Sequence, residues 1–182
     1  MRLKILGAII AGGRSRRFGS DKAEALFGGV RLIDHVIAGM QPQVHSLVIC
    51  GRFMPGHLCL SDRPREGLGP LGGIAAALDY ARGRDFDGVL TSACDTPLVP
   101  QDLAERLVGL EPAIMVGQPL FGYWPSSLAV DLDEFVRYGY GRAMKDWALW
   151  AGARRVRLTQ TVANINTRED LAGLRSAMAT FG

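Results

Sequence analysis

Three loops of this sequence carry groups that can act on a phosphate. The first runs A-G-G-R-S-R-R-F-G-S-D-K, from Ala11 to Lys22. Gly12 and Gly13 let backbone N–H groups come close to phosphate oxygens. Arg17 and Lys22 can neutralise a polyphosphate, the arginine through a planar pair of donors and the lysine as a point charge. No G-K-[ST] follows four spacer residues, so the loop is not a Walker loop. It is not G-x-G-x-x-G either, which disfavours a dinucleotide-dependent oxidoreductase. Taken alone, the stretch also reads as a glycine turn with solvated arginines.

The second loop, Ser61 to Gly73, pairs Asp62 with glycines 67, 69, 72 and 73 just before a helix. Those glycines would let backbone pack against a ring or a ribose. A helix entry in which Asp62 supports the turn is the equal alternative. The third is Cys94-Asp95-Thr96-Pro97, after an apolar strand. A carboxylate at Asp95 can hold Mg²⁺, which takes oxygen ligands and bridges substrate phosphates. The competing role, capping the next helix, can fall to Asp102. No activating base is evident for Cys94, which reads as a small buried residue.

A fourth stretch, Asn164-Ile165-Asn166-Thr167, puts two asparagines on one side of a strand. From the residues alone, cap and turn chemistry at Thr167 and Asp170 is its stronger reading. His35, His45 and His57 show no metal-ligand spacing, and no serine or cysteine triad is visible.

These loops need a frame. The chain has 182 residues, 48% hydrophobic and 21% charged, which predicts one domain over residues 1–182 with a sizeable core. A net charge of +3 does not argue for nucleic acid. Three cysteines without a C-x-x-C suit reduced thiols in the cytoplasm. The apolar run Ile5–Ala11 is too short to span a membrane.

Strand and helix patterns alternate along the chain. Strands are expected at 3–11, 46–50, 57–60, 88–93, 113–116, 118–124 and 154–158. Helices are expected at 32–40, 74–81, 100–110, 126–138, 142–151 and 167–178. The alternation predicts an α/β fold, a three-layer sandwich on a mostly parallel sheet. Ligands of such sheets bind beyond the carboxyl ends of the strands. The loops at Gly12, Asp62 and Asp95 all follow strands and can converge there.

The four motifs together, I-A-G-G-R-S-R-R-F-G-S-D-K-A, D-x-x-x-x-G-L-G-P-L-G-G-I, C-D-T-P and N-I-N-T-x-E-D-L, resemble the molybdenum cofactor guanylyltransferases in order and spacing. The resemblance implies a nucleotide-diphospho-sugar-transferase-like fold. It implies transfer of GMP from GTP to molybdenum-bound molybdopterin, with release of pyrophosphate. On it, Ile10, Ala11, Gly12 and Gly13 hold the guanine nucleotide and Lys22 its phosphates. Arg17 joins Lys22 in catalysis, Asp62 contacts the nucleotide, Asp95 holds Mg²⁺, and Asn164 and Asn166 face the pterin. Molybdenum-cofactor assembly proteins and molybdoenzyme chaperones are the implied partners, with no role for nucleic acid or membrane.

The chain departs from the family pattern in three places. Cys50-Gly51-Arg52 stands where relatives often carry Asn, Arg168 replaces a common Pro, and the segment between Val116 and Gln118 is short. A cytidylyl or sugar-phosphate nucleotidyltransferase, or a non-catalytic GTP-binding delivery module, remain open alternatives.

Overall fold

The computed structural model describes residues 3–12, 22–141 and 143–157. Nine strands and five α-helices are formed among them. Strand β1 (Ile5–Ile10) is followed by a small antiparallel pair, β2 (Leu26–Phe27) and β3 (Val30–Arg31), and helix α1 (Leu32–Met40). Then come β4 (Ser46–Cys50), β5 (Leu58–Leu60), α2 (Pro70–Arg82), β6 (Gly88–Ala93) and α3 (Leu103–Leu107). The remainder is β7 (Ala113–Met115), β8 (Gln118–Pro125), α4 (Ala129–Tyr138), α5 (Met144–Trp150) and β9 (Arg154–Val156).

Seven strands form one sheet in the order β5-β4-β1-β6-β8-β7-β9. Only β8 runs against the others, pairing antiparallel with both β6 and β7. The expected mostly parallel sandwich is therefore the observed one. A two-residue turn at Val116 and Gly117 joins β7 to β8, with Gly117 at φ +85°. A positive φ is what such a tight hairpin demands, and this turn is the short segment noted in the sequence.

Both faces of the sheet are covered, which is why the central strands read as apolar runs without alternation. Leu6, Ala8 and Ile10 of β1 join α2, α4 and α5 in one core. Ile5 and Ile9 join α1 and α3 in the other. Helix α1 buries Leu32, Ile33, Val36, Ile37 and Met40, the spacing expected for one helical face. His35 Nε2 lies 2.8 Å from the Phe27 carbonyl, and His45 Nδ1 accepts from the Ile5 N–H at 3.0 Å, so both histidines serve the frame.

Several boundaries differ from expectation. Helix α2 starts at Pro70 rather than Ile74, because Pro suits the first helical position and Gly69, at φ +63°, makes the turn into it. Helix α3 is five residues long, ending at Leu107 rather than Leu110. A short 3₁₀ turn at Ser126–Leu128 precedes α4, and α5 begins at Met144. The expected C-terminal helix 167–178 lies outside the described residues. Among those residues, no helix is long and apolar enough to cross a membrane.

Candidate active site

The register of the parallel strands lines up one row of residues. Ile10 pairs with Cys50 on one side and Ala93 on the other, and Cys50 pairs with Leu60. Backbone bonds continue the ladder one residue further: Ala11 N–H to Cys50 O at 2.9 Å, Gly51 N–H to Leu60 O at 2.9 Å, and Cys94 N–H to Ile10 O at 3.2 Å. One more step along each strand brings Gly12, Arg52, Asp62 and Asp95 to the same carboxyl edge. The convergence expected of the three loops is thus built by the pairing of β5, β4, β1 and β6.

Asp62 lies in a cradle of glycines. Its Oδ1 is 3.7 Å from where a Cβ on Gly12 would stand and 3.3 Å from that of Gly51. A Cβ on Gly72 would fall 2.9 Å from the Asp62 Cβ. At Gly51, φ is +83°, and a Cβ there would be 2.5 Å from the Gly12 Cα. The ends of β1 and β4 touch through backbone alone, and Asp62 reaches across them. Loss of solvent raises the Asp62 pKa above the ordinary carboxylate value, and the nearby Glu66 adds to the rise. The carboxyl is a poorly solvated acceptor at the mouth of the site.

This geometry corrects the reading of the second loop's glycines. Gly72 makes room for Asp62, and Gly73 for the side chains of Cys50 and Ile10, whose nearest atoms are 3.0 and 3.3 Å from its Cβ position. Both lie inside α2 and serve packing. Gly67 and Gly69, each at positive φ, are the two that border open space.

That space is a cleft of about 1000 Å³, bordered among others by Gly12, Gly51, Arg52, Phe53, Asp62 and Gly69. It lies at the upper end of the usual size for ligand pockets. Phe53 and Glu66 carried no sequence signal; only their place after β4 and before α2 brings them here. Arg52 Nη2 donates to Glu24 Oε1 at 3.4 Å, and Arg31 Nη1 donates to Glu24 Oε2 at 3.3 Å. Arg31 also grips Asp34 with two donors, at 2.7 and 2.9 Å. Glu24 thus ties the segment just after the first loop to the β4 loop and to the start of α1.

Asp95 is half-buried at the end of β6 and accepts from Thr96 Oγ1 at 3.3 Å. Asp102 stands before α3, but its carboxylate takes Arg106 Nε rather than a helix N–H. Among the described residues, no group of three His, Cys, Asp or Glu could cage a metal. Mg²⁺ takes few protein ligands, keeps its waters and draws others from substrate, so the single carboxylate of Asp95 is of a kind that could hold it.

Cys94 is half-buried against the α1/α3 core rather than fully buried as expected. The buried thiol is Cys50, pushed up to about 12 by burial and the nearby Asp62, so it stays protonated and unreactive. Ile10 is buried at the end of β1, and Ala11 and Gly12 are half-buried beside it. Gly13, Arg17, Asn164 and Asn166 lie outside the described residues, and of Lys22 only the backbone, opening a 3₁₀ turn, is described.

The family model of the MobA-like NTP transferase domain matches residues 7–161. The chain is 38% identical over 183 aligned positions to a molybdenum cofactor guanylyltransferase of Rhodobacter capsulatus, covering 93% of this chain and 94% of that one. In structure it resembles molybdopterin-guanine dinucleotide biosynthesis protein A from Archaeoglobus fulgidus, with a TM-score of 0.79, 23% identity, and 96% and 99% of the two chains covered. It also resembles 2-C-methyl-D-erythritol 4-phosphate cytidylyltransferase from Thermus thermophilus, with a TM-score of 0.70, 17% identity, and 98% and 100% covered. The fold is that of the nucleotide-diphospho-sugar transferases. The family match over residues 7–161 and the identity to a relative covered almost end to end place the chain in the MobA-like NTP transferase family, among the molybdenum cofactor guanylyltransferases.

Proposed function

We propose that the protein transfers GMP from GTP to molybdenum-bound molybdopterin, forming molybdopterin guanine dinucleotide and pyrophosphate. The observation that carries this reading is the meeting of Gly12, Gly51, Arg52 and Asp62 around a cleft with room for a nucleotide, with Asp95 following the adjoining strand β6 on the same sheet edge. An anionic oxygen of the pterin phosphate attacks the α-phosphorus of GTP. The new P–O bond forms as the bond to the pyrophosphate oxygen breaks. The attacking oxygen is already charged near neutral pH, so no strong general base is required. The protein's part is alignment and charge stabilisation.

Backbone at Ile10, Ala11, Gly12 and Gly13 lies against the guanine nucleotide in this reading. Asp62 accepts from its N–H or hydroxyl groups, Lys22 and Arg17 offset phosphate charge, and Asn164 and Asn166 orient the pterin. Asp95 would hold Mg²⁺, which when bound supplies charge neutralisation at the phosphates. The enzyme works in the cytoplasm in this reading, a setting that keeps cysteines such as Cys50, Cys59 and Cys94 reduced. There, assembly proteins would deliver molybdopterin, and molybdoenzyme chaperones would take up the product. Residues 1–182 act as one nucleotidyltransferase domain.

The test is pyrophosphate release from GTP with molybdopterin present or absent. Release is expected only when both substrates and Mg²⁺ are supplied. Asp95→Ala should abolish turnover while keeping the wild-type circular dichroism spectrum. Near-normal turnover of that variant would overturn the metal assignment.

A further inference from the structure

We infer that Phe53 is the stacking platform for the base of the bound nucleotide. This inference rests on the nucleotidyl-transfer reading and adds a residue to its site.

Phe53 is 80% exposed, although phenylalanine is among the residues most often buried. A single exposed apolar side chain is ordinary; the placement of this one is not. It follows the Gly51 turn by two residues and borders the cleft that holds Gly12 and Asp62. The exposed rings of Tyr138, Tyr140 and Trp150 lie against each other or against Phe135, whereas no ring contact is made by Phe53 among the described residues. Its neighbour Arg52 is drawn back toward Glu24, with a side chain 20% exposed. Both residues border the cleft, and Phe53 is the more exposed of the two.

The loop that carries it is fixed at both ends. Gly51 is wedged against the Gly12 backbone. Met54 is buried, its N–H donates to Cys59 Sγ at 3.2 Å, and its carbonyl accepts from His57 N–H at 3.3 Å. A ring held on such a loop is a preorganised surface. Every base offers a π-face, so stacking adds affinity whichever base is chosen. The choice of base is left to polar groups such as Asp62.

The experiment measures binding of GTP, CTP and inorganic tripolyphosphate, each with Mg²⁺, to the full chain and to Phe53→Ala and Phe53→Trp. Phe53→Ala should bind GTP about 10-fold more weakly and tripolyphosphate as the wild type does. Phe53→Trp should restore GTP affinity and acquire a fluorescence quench with GTP that tripolyphosphate does not give. Unchanged GTP affinity in Phe53→Ala, or equal weakening of GTP and tripolyphosphate, would overturn the inference. If the wild type prefers CTP and Phe53→Ala weakens CTP and GTP alike but not tripolyphosphate, the stacking role holds and the guanine reading fails. A wild type that binds tripolyphosphate but no nucleoside triphosphate overturns both.

Discussion

At Gly51 the chain has no room for a side chain. The backbone is left-handed, and a Cβ would meet the Gly12 Cα at 2.5 Å. Gly51→Ala should cost about 2–3 kcal/mol, combining the left-handed strain with overpacking. Gly56→Ala is the control: φ is +80° but nothing lies near, so only the strain of about 1–2 kcal/mol applies. Urea denaturation of both variants checks the difference, and equal losses would mean that β1 and β4 do not meet as described. Asp62 makes a second case. Its pKa is raised on folding, so the native state holds the proton more tightly than the unfolded chain. Stability is then lost as pH rises from the ordinary carboxylate value through the folded one, and the cost persists above it. Asp62→Asn should therefore be more stable than wild type at pH 7, with the advantage vanishing in acid, while binding GTP about 10-fold more weakly. Thermal melts across pH and a GTP titration test both halves. The places of Asp62 and Asp95 were legible because each follows an apolar strand. The partners of Asp62 were not, since Gly12, Gly51 and Gly72 meet it only through the fold.

Helix α2 shows what local pattern conceals. Gly72 and Gly73 look like loop residues, and the sequence pattern starts the helix after them, at Ile74. In the structure they are helical, and their missing side chains admit Asp62 at Gly72 and Cys50 with Ile10 at Gly73. Glycine inside a helix costs about 1 kcal/mol relative to alanine. Close packing of α2 on the ends of β1 and β4 offsets that cost. Gly72→Ala should therefore fail to gain the usual helix stabilisation, because its Cβ would stand 2.9 Å from that of Asp62. It should weaken GTP binding by moving the Asp62 carboxyl. A variant that is about 1 kcal/mol more stable and binds GTP normally would show that Asp62 is not packed there. Other elements were easier to read. The five apolar positions of α1 follow one face, β1 is an unbroken apolar run, β4 is one after Ser46, and β6 is buried throughout although it carries Thr91 and Ser92. The direction of β8 was hidden, since periodicity gives a strand but not its sense; only pairing with β6 and β7 decides it.

Across the whole molecule, the sheet order brings the chemistry together. Neighbouring strands are about 4.8 Å apart, so four adjacent parallel strands place their following loops within roughly 15 Å. The Gly12, Arg52 and Asp62 segments border the cleft, and Asp95 ends the strand next to β1 on the same edge. The two cores hold the edge rigid from both faces, which positional catalysis requires. Membership in the guanylyltransferase family fits this arrangement, in which the proposed work of the edge is GMP transfer to a pterin phosphate. The direct measurement supplies molybdenum-bound molybdopterin, Mg²⁺ and either GTP or CTP, and identifies the product by mass. The expected result is the guanine dinucleotide with one pyrophosphate per product from GTP, and no dinucleotide from CTP. A cytosine dinucleotide, or GTP bound without any dinucleotide formed, would contradict it.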